Sequence, residues 1–334
     1  MDEKKYKLRC KLILSIVSTT LSVCLMEVTL RITNFNFNIP KYFQFSPDFQ
    51  IDPLLAEGLL LKDSILFWRL TPNRSRGINS KGMRDKEFSI NKPKNTFRVI
   101  CLGDSVTFGY PEDLNKPEDT YPKRLEVLLN ERIGMFNFEV INAGIIGYTS
   151  YQGLKYLQTD IIKYHPNLVT IHFGPDDAAK VLYFSDKEQK MQPLWFINLQ
   201  NFLNKTKVFQ FMSKLVFLIK YKFLNFLVLI NTENRHRVSP EDYKYNLERM
   251  IEFAKKYNFE IIFITPVYYE HEYAFLSEEY KLPEKAIAVN LLPIFEKERL
   301  QELFIDNCHL TPKGHQRVAE TIANVIIKED LIKK

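Results

Sequence analysis

The stretch FRVICLGDSVTFGY, from Phe97 to Tyr110, decides the fold of this chain. Its first half contains the continuous apolar run 99–102, which is typical of a strand buried on both faces of a parallel sheet. Gly103 ends the run, and Asp104 and Ser105 follow at once. Open α/β sheets bind ligands at the carboxyl ends of their strands, so this serine is a candidate functional residue. A serine also suits the N-cap of a following helix, and the stretch alone leaves both interpretations open.

Apolar strands and amphipathic helices alternate along most of the chain after this stretch. Strands are predicted at 97–102, 138–141, 167–173, 260–264 and 286–290, with helices at 121–133, 150–164, 243–257 and 311–327. Strands that alternate with helices predict a parallel sheet covered by helices on both faces. The sequence therefore predicts an α/β fold.

Composition places the chain among ordinary globular proteins, with 46% hydrophobic and 26% charged residues in 334. The net charge of +6 is spread along the chain without an arginine-rich block, which argues against a nucleic-acid partner. His271 lies between two glutamates but has no second histidine at helical spacing, so we predict no metal site. Four cysteines show no spacing typical of a zinc or redox motif: Cys10, Cys24, Cys101 and Cys308.

The N-terminus combines a basic segment with an apolar one. Lysines and an arginine cluster in residues 4–11, and residues 12–26 are uncharged and mostly apolar. The stretch from Lys11 to Leu30 reaches the ~20 residues of a membrane span if Glu27 lies at the far interface. No A-x-A cleavage site follows, which favours an uncleaved anchor over a cleaved signal peptide or a soluble helix. We therefore predict a cytoplasmic tail and single-pass anchor in residues 1–33, with the rest of the chain extracytoplasmic.

Two segments depart from the alternating pattern. Residues 34–96 mix turn residues with short apolar pieces, which predicts an arm packed on the main domain. Residues 178–238 include the apolar segment 208–230, which three lysines interrupt, so a second membrane span is not expected. An interfacial helix or helix pair, a helical lid and one more packed helix remain open interpretations. The main domain is predicted at 97–330, with residues 178–238 as a helical insertion.

Residues suited to nucleophilic catalysis occur at both ends of the main domain. A serine nucleophile needs a general base, and the base needs an acceptor that orients it. His309 follows Asp306 by three positions, so the carboxylate can reach the second nitrogen of the imidazole. Acyl transfer also needs hydrogen-bond donors for the developing oxyanion. The Ser105 N–H and the turns 142–147 and 174–177 supply candidates, because each follows a predicted strand.

Four blocks of this sequence resemble those of the SGNH or GDSL hydrolase family of esterases and lipases. They are Gly103 to Gly109, Asn142 to Gly147, Gly174 to Asp177, and Asp306-x-x-His309. The resemblance implies a flavodoxin-like three-layer α/β/α sandwich with a mostly parallel five-stranded sheet, and the anchored layout resembles a membrane-bound bacterial branch. The resemblance also implies that Ser105 is the nucleophile, His309 the base and Asp306 its orienting partner.

One position departs from the pattern of the family. The resemblance implies an oxyanion hole made by the N–H groups of Ser105 and Gly147 and by an asparagine amide, but that asparagine position is Asp176 here. An ionised carboxylate only accepts hydrogen bonds and would repel an oxyanion. Three outcomes are open: a protonated Asp176 in a dry site, a hole that relies on the two N–H groups, or loss of catalysis.

Three functions follow from the resemblance. The first is a serine esterase that hydrolyses acyl or acetyl esters of lipid or cell-surface carbohydrate through an acyl-serine, with no metal or organic cofactor. The second is an O-acyltransferase that passes the acyl group to a cell-surface glycan. The third is a catalytically impaired binding or scaffold protein, which Asp176 motivates. The expected partners are the ester substrate and the membrane, through the N-terminal helix.

Overall fold

The computed structural model describes residues 3–37, 58–110, 116–181, 184–189, 193–230, 235–266, 280–284, 286–291 and 300–332. By internal contacts the chain divides into two compact units. The smaller unit comprises Met1–Gln50 and Met191–Glu233, and the larger comprises Ile51–Lys190 and Asn234–Lys334. His271, the residue weighed as a metal ligand, lies outside the described residues.

The elements of the described chain are as follows. Strands are β1 (Leu60–Asp63), β2 (Phe67–Leu70), β3 (Thr96–Gly103), β4 (Asn137–Gly144), β5 (Leu168–His172), β6 (Lys180–Val181), β7 (Arg235–His236), β8 (Glu260–Ile264) and β9 (Ile287–Val289). Helices are α1 (Glu3–Ile32), α2 (Ser105–Phe108), α3 (Tyr121–Arg132), α4 (Ser150–Thr159), α5 (Pro175–Ala178), α6 (Leu194–Leu203), α7 (Lys207–Ile230), α8 (Pro240–Tyr257), α9 (Leu300–Leu303) and α10 (Pro312–Lys328).

A five-stranded sheet forms the centre of the larger unit. Its order is β4-β3-β5-β8-β9, and every neighbouring pair is parallel. Numbered along the chain, these strands follow the flavodoxin-like order 2-1-3-4-5. Helix α3 packs with α10, and α4 packs with α8, so helices flank the sheet. The predicted α/β sandwich with a five-stranded parallel sheet is thereby confirmed.

Strand β3 is buried along its whole length, as its continuous apolar run predicts. Arg98 is the charged residue of this strand. Its buried side chain needs partners because an unpaired charge is costly in a core. Its Nε donates to Glu139 at 2.6 Å, and its Nη1 donates to the carbonyl of Tyr164 at 2.6 Å. Strand β3 is thus held in place by apolar packing and by one paired cation.

Helix boundaries follow from local side-chain chemistry. The Ser239 and Thr311 side chains accept hydrogen bonds from N–H groups in the first turns of α8 and α10, which is the N-cap role expected for these residue types. The helix expected over 150–164 ends at Thr159 instead. Asp160 leaves helical geometry there, and its carboxylate accepts hydrogen bonds from the Thr159 hydroxyl at 2.7 Å and from Arg69 at 2.9 Å.

The smaller unit contains three described helices, α1, α6 and α7. Within Tyr6–Ile32 of α1, an 18-residue window has a mean hydropathy of 1.8, and this part of the helix is long and apolar enough to cross a membrane. A signal sequence meets the same criterion. Within the described residues no other helix meets it. The N-terminal apolar helix predicted from the sequence is therefore present as a membrane-span or signal-sequence candidate.

Helix α2 approaches the sheet at Gly103 and Gly144 so closely that no side chain fits there. A Cβ added to Gly144 would lie 2.2 Å from the Phe108 backbone nitrogen of α2. A Cβ on Gly103 would overlap the Thr107 side chain of α2 and would lie 2.7 Å from the His172 carbonyl oxygen of the neighbouring strand β5. Backbone atoms cannot move aside cheaply, so glycine is required for this approach. The two glycines thus set the position of the short helix that begins at Ser105.

Gly144→Ala is expected to destabilise the larger unit by about 1–3 kcal/mol, because overpacking forces backbone shifts around α2. The measurement is the thermal unfolding midpoint of the purified chain. Gly134→Ala is the matched control, because a Cβ at Gly134 meets no atom within 4 Å. Equal midpoints for the two variants would contradict the proposed close packing at Gly144.

Candidate active site

Ser105 is the first residue of α2 and directly follows the carboxyl end of β3. The N-cap of this helix is Asp104, whose Oδ1 accepts the Val106 N–H at 2.9 Å. The interpretation of Ser105 as an N-cap is therefore wrong, because the preceding carboxylate satisfies the helix start. Gly109 ends the helix with φ of 88°, a conformation that favours glycine. The Ser105 hydroxyl is thus available for other contacts.

The Ser105 hydroxyl lies in hydrogen-bond contact with His309, from which it is separated by 204 residues. The distance from Oγ to His309 Nε2 is 2.8 Å. On the other side of the ring, Nδ1 lies 2.7 Å from Asp306 Oδ2. Ser105, His309 and Asp306 therefore form one continuous chain of hydrogen bonds, and this is the arrangement that activation of a serine requires.

Asp306 is held ionised by local donors. Burial raises the pKa of its carboxyl, but the N–H groups of Cys308 and His309 and the His309 ring outweigh burial and bring the pKa below its ordinary value. A carboxylate in this position stabilises the imidazolium that forms when His309 takes a proton. Tyr110 packs edge-on against the imidazole, with ring centroids 5.0 Å apart. The His309 ring is therefore held between a carboxylate and an aromatic ring.

This loop also contains residue types that can bind a metal ion. Among the described residues, the side chains of Asp306, Cys308 and His309 lie close enough together to share one ion. Both imidazole nitrogens already face hydrogen-bond partners, Ser105 and Asp306. Burial raises the pKa of the Cys308 thiol, which disfavours the thiolate that binds metals. The geometry of this loop therefore matches a catalytic triad better than a metal centre.

The two other residues expected at an oxyanion hole follow the strands on either side of β3. Gly147 lies in the turn after β4 and has φ of 77°, and Asp176 lies in the first turn of α5, after β5. Parallel strands end at the same edge of a sheet, so both residues belong to the edge at which Ser105 lies. The turn at Gly147 is braced by Trp68, whose Nε1 donates to the Ile146 carbonyl at 3.0 Å.

Arg237 connects these two residues, and sequence reasoning missed it. Its buried guanidinium donates through Nη1 to the Gly147 carbonyl at 2.8 Å, and the same Nη1 lies 3.7 Å from Asp176 Oδ1. Nη2 lies 3.0 Å from the buried carboxylate of Asp186. Arg237 follows β7, which pairs antiparallel with β6, and this pairing brings it beside α5. No sequence motif indicates a role for Arg237, because it lies outside the four blocks that resemble the hydrolase family.

Asp176 titrates near neutral pH. Burial raises the pKa of its carboxyl, Arg237 opposes the rise, and the charges of Asp104 and Asp186 add to it, so that the pKa lies at about 7. The carboxyl is protonated below that pH and can then donate a hydrogen bond. Above that pH it becomes an anion that accepts only. A protonated Asp176, one of the three outcomes that the sequence leaves open, is therefore accessible at neutral pH.

Asp177, the next residue, has a different environment. Its Oδ1 accepts hydrogen bonds from the Ser150 N–H at 2.9 Å and from the Ser150 hydroxyl at 2.5 Å. Burial raises the pKa of this carboxyl well above its ordinary value. Asn246 Nδ2 donates to the same hydroxyl at 3.0 Å. Asp177 thus ties α5 to the start of α4 and to α8.

The remaining described histidines with resolved contacts are structural. His172 is buried at the end of β5, as predicted, with Nδ1 3.5 Å from Asp104 Oδ1. His236 Nδ1 lies 2.7 Å from the Ala178 carbonyl oxygen. Burial lowers the pKa of His315 to about 3, and its Nδ1 accepts the Tyr121 N–H at 3.3 Å. His236 and His315 therefore contribute hydrogen bonds, and His172 contributes packing beside Asp104.

Arg84 supports the far end of the serine helix. Its guanidinium is buried, and Nη1 donates to the carbonyls of Phe108 at 2.9 Å and of Gly109 at 2.8 Å. A cation stabilises the carboxyl end of a helix because the last carbonyls carry partial negative charge. The guanidinium also lies over the Phe108 ring, 5.0 Å from its centroid. Arg84 thus positions the element that presents Ser105.

This chain belongs to the GDSL-like lipase/acylhydrolase family, because residues 101–317, more than half of its length, match that family. The matched region runs from β3 into α10 and so includes Ser105, Asp306 and His309. The family resemblance of the four sequence blocks is thereby confirmed, and membership supports ester hydrolysis as the general activity. None of the curated proteins compared with the chain is significantly similar in sequence.

Solved structures of similar fold include three hydrolases. A protein of the G-D-S-L lipolytic family from Desulfitobacterium hafniense DCB-2 is 16% identical, with a TM-score of 0.41 over 68% of this chain and 98% of that one. A lipase/acylhydrolase from Enterococcus faecalis is 18% identical, with a TM-score of 0.43 over 70% and 96%. A variant of an acetyl xylan esterase from Geobacillus stearothermophilus is 17% identical, with a TM-score of 0.43 over 69% and 94%.

Proposed function

We propose that this chain is a membrane-anchored serine esterase that hydrolyses acyl or acetyl esters of lipid or cell-surface carbohydrate. The observation that supports it most directly is the contact of 2.8 Å between Ser105 Oγ and His309 Nε2. The contact of 2.7 Å between His309 Nδ1 and Asp306 Oδ2 completes the set of groups that such a reaction needs. Ester hydrolysis by this mechanism requires no metal and no organic cofactor.

In the first half of the reaction, Ser105 Oγ attacks the carbonyl carbon of the ester while His309 Nε2 takes the hydroxyl proton. Asp306 stabilises the resulting imidazolium. The negative charge that develops on the carbonyl oxygen is stabilised by the N–H groups of Ser105 and Gly147, and by Asp176 when its carboxyl is protonated. The tetrahedral intermediate then breaks the ester C–O bond, and His309 returns the proton to the leaving alcohol.

In the second half, water attacks the acyl-serine. His309 takes a proton from this water, and the second tetrahedral intermediate releases the acid and restores the Ser105 hydroxyl. Arg237 contributes indirectly in both halves, because it holds the Gly147 carbonyl at 2.8 Å and so orients the turn that supplies one oxyanion donor. We therefore treat Arg237 as a positioning residue.

The proposed location is the extracytoplasmic face of a membrane. Helix α1 has the length and hydropathy of a span over Tyr6–Ile32. Basic residues cluster before the apolar part, in residues 4–11, and the positive-inside rule puts that end in the cytoplasm. In this orientation the larger unit meets esters of lipids and cell-surface glycans, which is why these are the proposed substrate class.

The test is covalent labelling of the full chain, purified in detergent, with a fluorophosphonate, together with hydrolysis of p-nitrophenyl acetate and of esters with longer acyl chains. We expect one label, on Ser105, and turnover that labelling abolishes. Product analysis with an added polysaccharide acceptor distinguishes hydrolysis from O-acyl transfer. Absence of both labelling and turnover would favour a binding or scaffold role for this fold.

The location is tested separately by alkaline carbonate extraction and by protease treatment of intact cells. An uncleaved anchor leaves the whole chain in the membrane pellet and exposes the larger unit to external protease. A shortened, extractable chain would instead indicate a cleaved signal peptide. Neither measurement depends on enzymatic turnover, so location and activity are judged independently.

A further inference from the structure

The helical segment of the smaller unit has an unusual charge composition. From Met191 to Thr232 the sequence contains no aspartate or glutamate. Its charged residues are all lysines, at positions 205, 207, 214, 220 and 222. A polar face rich in lysine, next to an apolar face, is typical of helices that lie at the surface of an anionic membrane.

Exposed apolar side chains form one stripe on helix α6 and one on helix α7. On α7, the exposed residues Met212, Leu215, Val216 and Ile219 have the spacing i, i+3, i+4 and i+7, which defines one helix face. Val216 is 60% exposed and Ile219 69%. On α6, the exposed residues Trp195, Leu199 and Phe202 follow the spacing i, i+4 and i+7. Large apolar faces of this kind signify a partner surface.

Helix α7 begins against the carboxyl end of α1. Glu27 Oε2 accepts the Val208 N–H at 2.8 Å, so the anchor helix supplies a carboxylate to the first turn of α7. Phe35 packs edge-on against Phe211, with centroids 5.7 Å apart, and Lys214 Nζ lies 5.5 Å from the Phe35 centroid. The apolar stripe of α7 therefore begins next to the end of the helix proposed to cross the membrane.

We propose that α6 and α7 are interfacial helices that insert their exposed apolar faces into the outer leaflet of an anionic membrane beside the α1 anchor. The proposal rests on the anchoring of α1 set out above. Two observations favour lipid over a second copy of the chain as the occupant. The lysines of this segment would repel the same lysines of a second copy, whereas anionic headgroups attract them. Contact with α1 also makes the apolar face continuous with a membrane-embedded surface.

The lysines of α7 favour a position of this helix at the membrane surface over a span across the bilayer. Three of them, at 214, 220 and 222, interrupt the apolar sequence of α7, and a lysine at the bilayer centre costs about 3 kcal/mol. At the interface the same side chains extend to the headgroups while their methylene groups cover apolar surface. Lys205, just after α6, has its Nζ 5.7 Å from the Phe202 ring centroid, so one cation lies beside the exposed apolar stripe of α6.

The test uses tryptophan fluorescence of the full chain reconstituted into vesicles of phosphatidylcholine and phosphatidylglycerol. The chain has two tryptophans: Trp195 is 66% exposed on α6, and Trp68 is buried in the larger unit. Phospholipids brominated near the top of the acyl chains quench a tryptophan at the headgroup boundary. We expect the wild-type chain to lose Trp195 emission in brominated vesicles. Trp195→Phe, which leaves only Trp68, reports the background.

A second reporter examines α7. In the Trp195→Phe chain, Ile219→Trp places a tryptophan on the exposed stripe, and we expect brominated lipid to quench it. The matched control is Val127→Trp in the same background, since Val127 is 56% exposed on helix α3 of the larger unit. We expect no quenching of this control. Quenching of Trp195 should also weaken when phosphatidylglycerol is omitted or when Lys205→Gln and Lys207→Gln are combined.

The outcomes separate this proposal from the proposed anchoring. A chain that floats with the vesicles but shows no quenching of either reporter retains its anchor and overturns the interfacial role of α6 and α7. If neither aqueous acrylamide nor brominated lipid quenches the tryptophan reporters, a second copy of the chain covers the apolar stripes. That result would overturn the lipid assignment. A chain that does not float at all overturns both the anchoring and the interfacial helices. Ester hydrolysis, assayed on the same vesicles, is judged by itself.

Discussion

Ser105→Ala is expected to lower kcat for ester hydrolysis by a factor on the order of 10⁴ to 10⁶, and to abolish fluorophosphonate labelling. The reason is the removal of the Ser105 Oγ, the proposed nucleophile, which lies 2.8 Å from His309 Nε2. Stability should be unaffected, because the N-cap of α2 is Asp104 and not the serine. The measurements are steady-state kinetics with p-nitrophenyl acetate and the thermal unfolding midpoint.

Ser75→Ala is the control for this substitution. Ser75 is an exposed serine whose hydroxyl donates to Asn73 Oδ1 at 2.7 Å, outside the site. We expect wild-type turnover and labelling from it. Persistent turnover in Ser105→Ala, with an unchanged unfolding midpoint, would exclude Ser105 as the nucleophile and remove the basis of the proposed mechanism.

Asp176→Asn is expected to raise turnover in alkaline solution, by a factor on the order of 10 to 100 near pH 9. With a pKa of about 7, the carboxyl is an anion at that pH and repels the developing oxyanion, whereas an amide donates a hydrogen bond at every pH. Near pH 5 the wild-type carboxyl is protonated, so the advantage of the variant should nearly vanish. The measurement is the ratio of variant to wild-type kcat/KM across this range, which cancels pH effects that the two chains share.

The same substitution has an expected effect on stability, with a defined sign. Burial raises the Asp176 pKa from its model-compound value of 3.8 to about 7, so the folded chain binds more protons than the unfolded chain between these pH values. Wild-type stability therefore falls as pH rises through this window. Asn cannot titrate, so the unfolding midpoint of the variant should exceed that of the wild type above pH 7 and not below pH 4.

Asp177→Asn is the matched control, because this neighbouring carboxyl is also buried but faces Ser150 instead of Arg237. We expect no alkaline gain in turnover from it. If Asp176→Asn lowers turnover at every pH while Asp177→Asn leaves the pH profile unchanged, Asp176 has a catalytic role that its carboxyl alone can perform. That result would mean that the Asp176 carboxyl is required for turnover and does not impair it.

Much of the fold was predictable from local sequence. The apolar run before Gly103 reads as a buried strand because parallel strands in the centre of a sheet lose their polar alternation. The predicted strands lie within a few residues of β3, β4, β5, β8 and β9. The helix over 150–164 was predicted too long, because the contact that ends it joins Asp160 to Arg69, far away in sequence.

Part of the site was predictable for the same reason. Asp306 and His309 are three residues apart, so one turn of chain brings carboxylate and imidazole together, and spacing alone predicts their contact. The serine at the end of a buried strand is likewise a local feature. These are short-range relations, which backbone geometry limits to few arrangements.

Other parts depended on the tertiary structure. The contact between Ser105 and His309 joins residues 204 positions apart, and only chain packing brings the loop between α9 and α10 to the end of β3. Arg84 and Arg237 were missed because their partners are distant in sequence: backbone carbonyls of turns for both and, for Arg237, also the Asp186 carboxylate.

The sequence by itself determined the strands, the serine at the end of β3 and the pair formed by Asp306 and His309, because each depends on neighbours within a turn or a strand. Only the tertiary structure decided which residue caps the serine helix, where the buried arginines bind and how strongly Asp176 holds its proton. Those properties depend on desolvation and on charges brought together by chain packing, and the pKa of Asp176 expresses their sum.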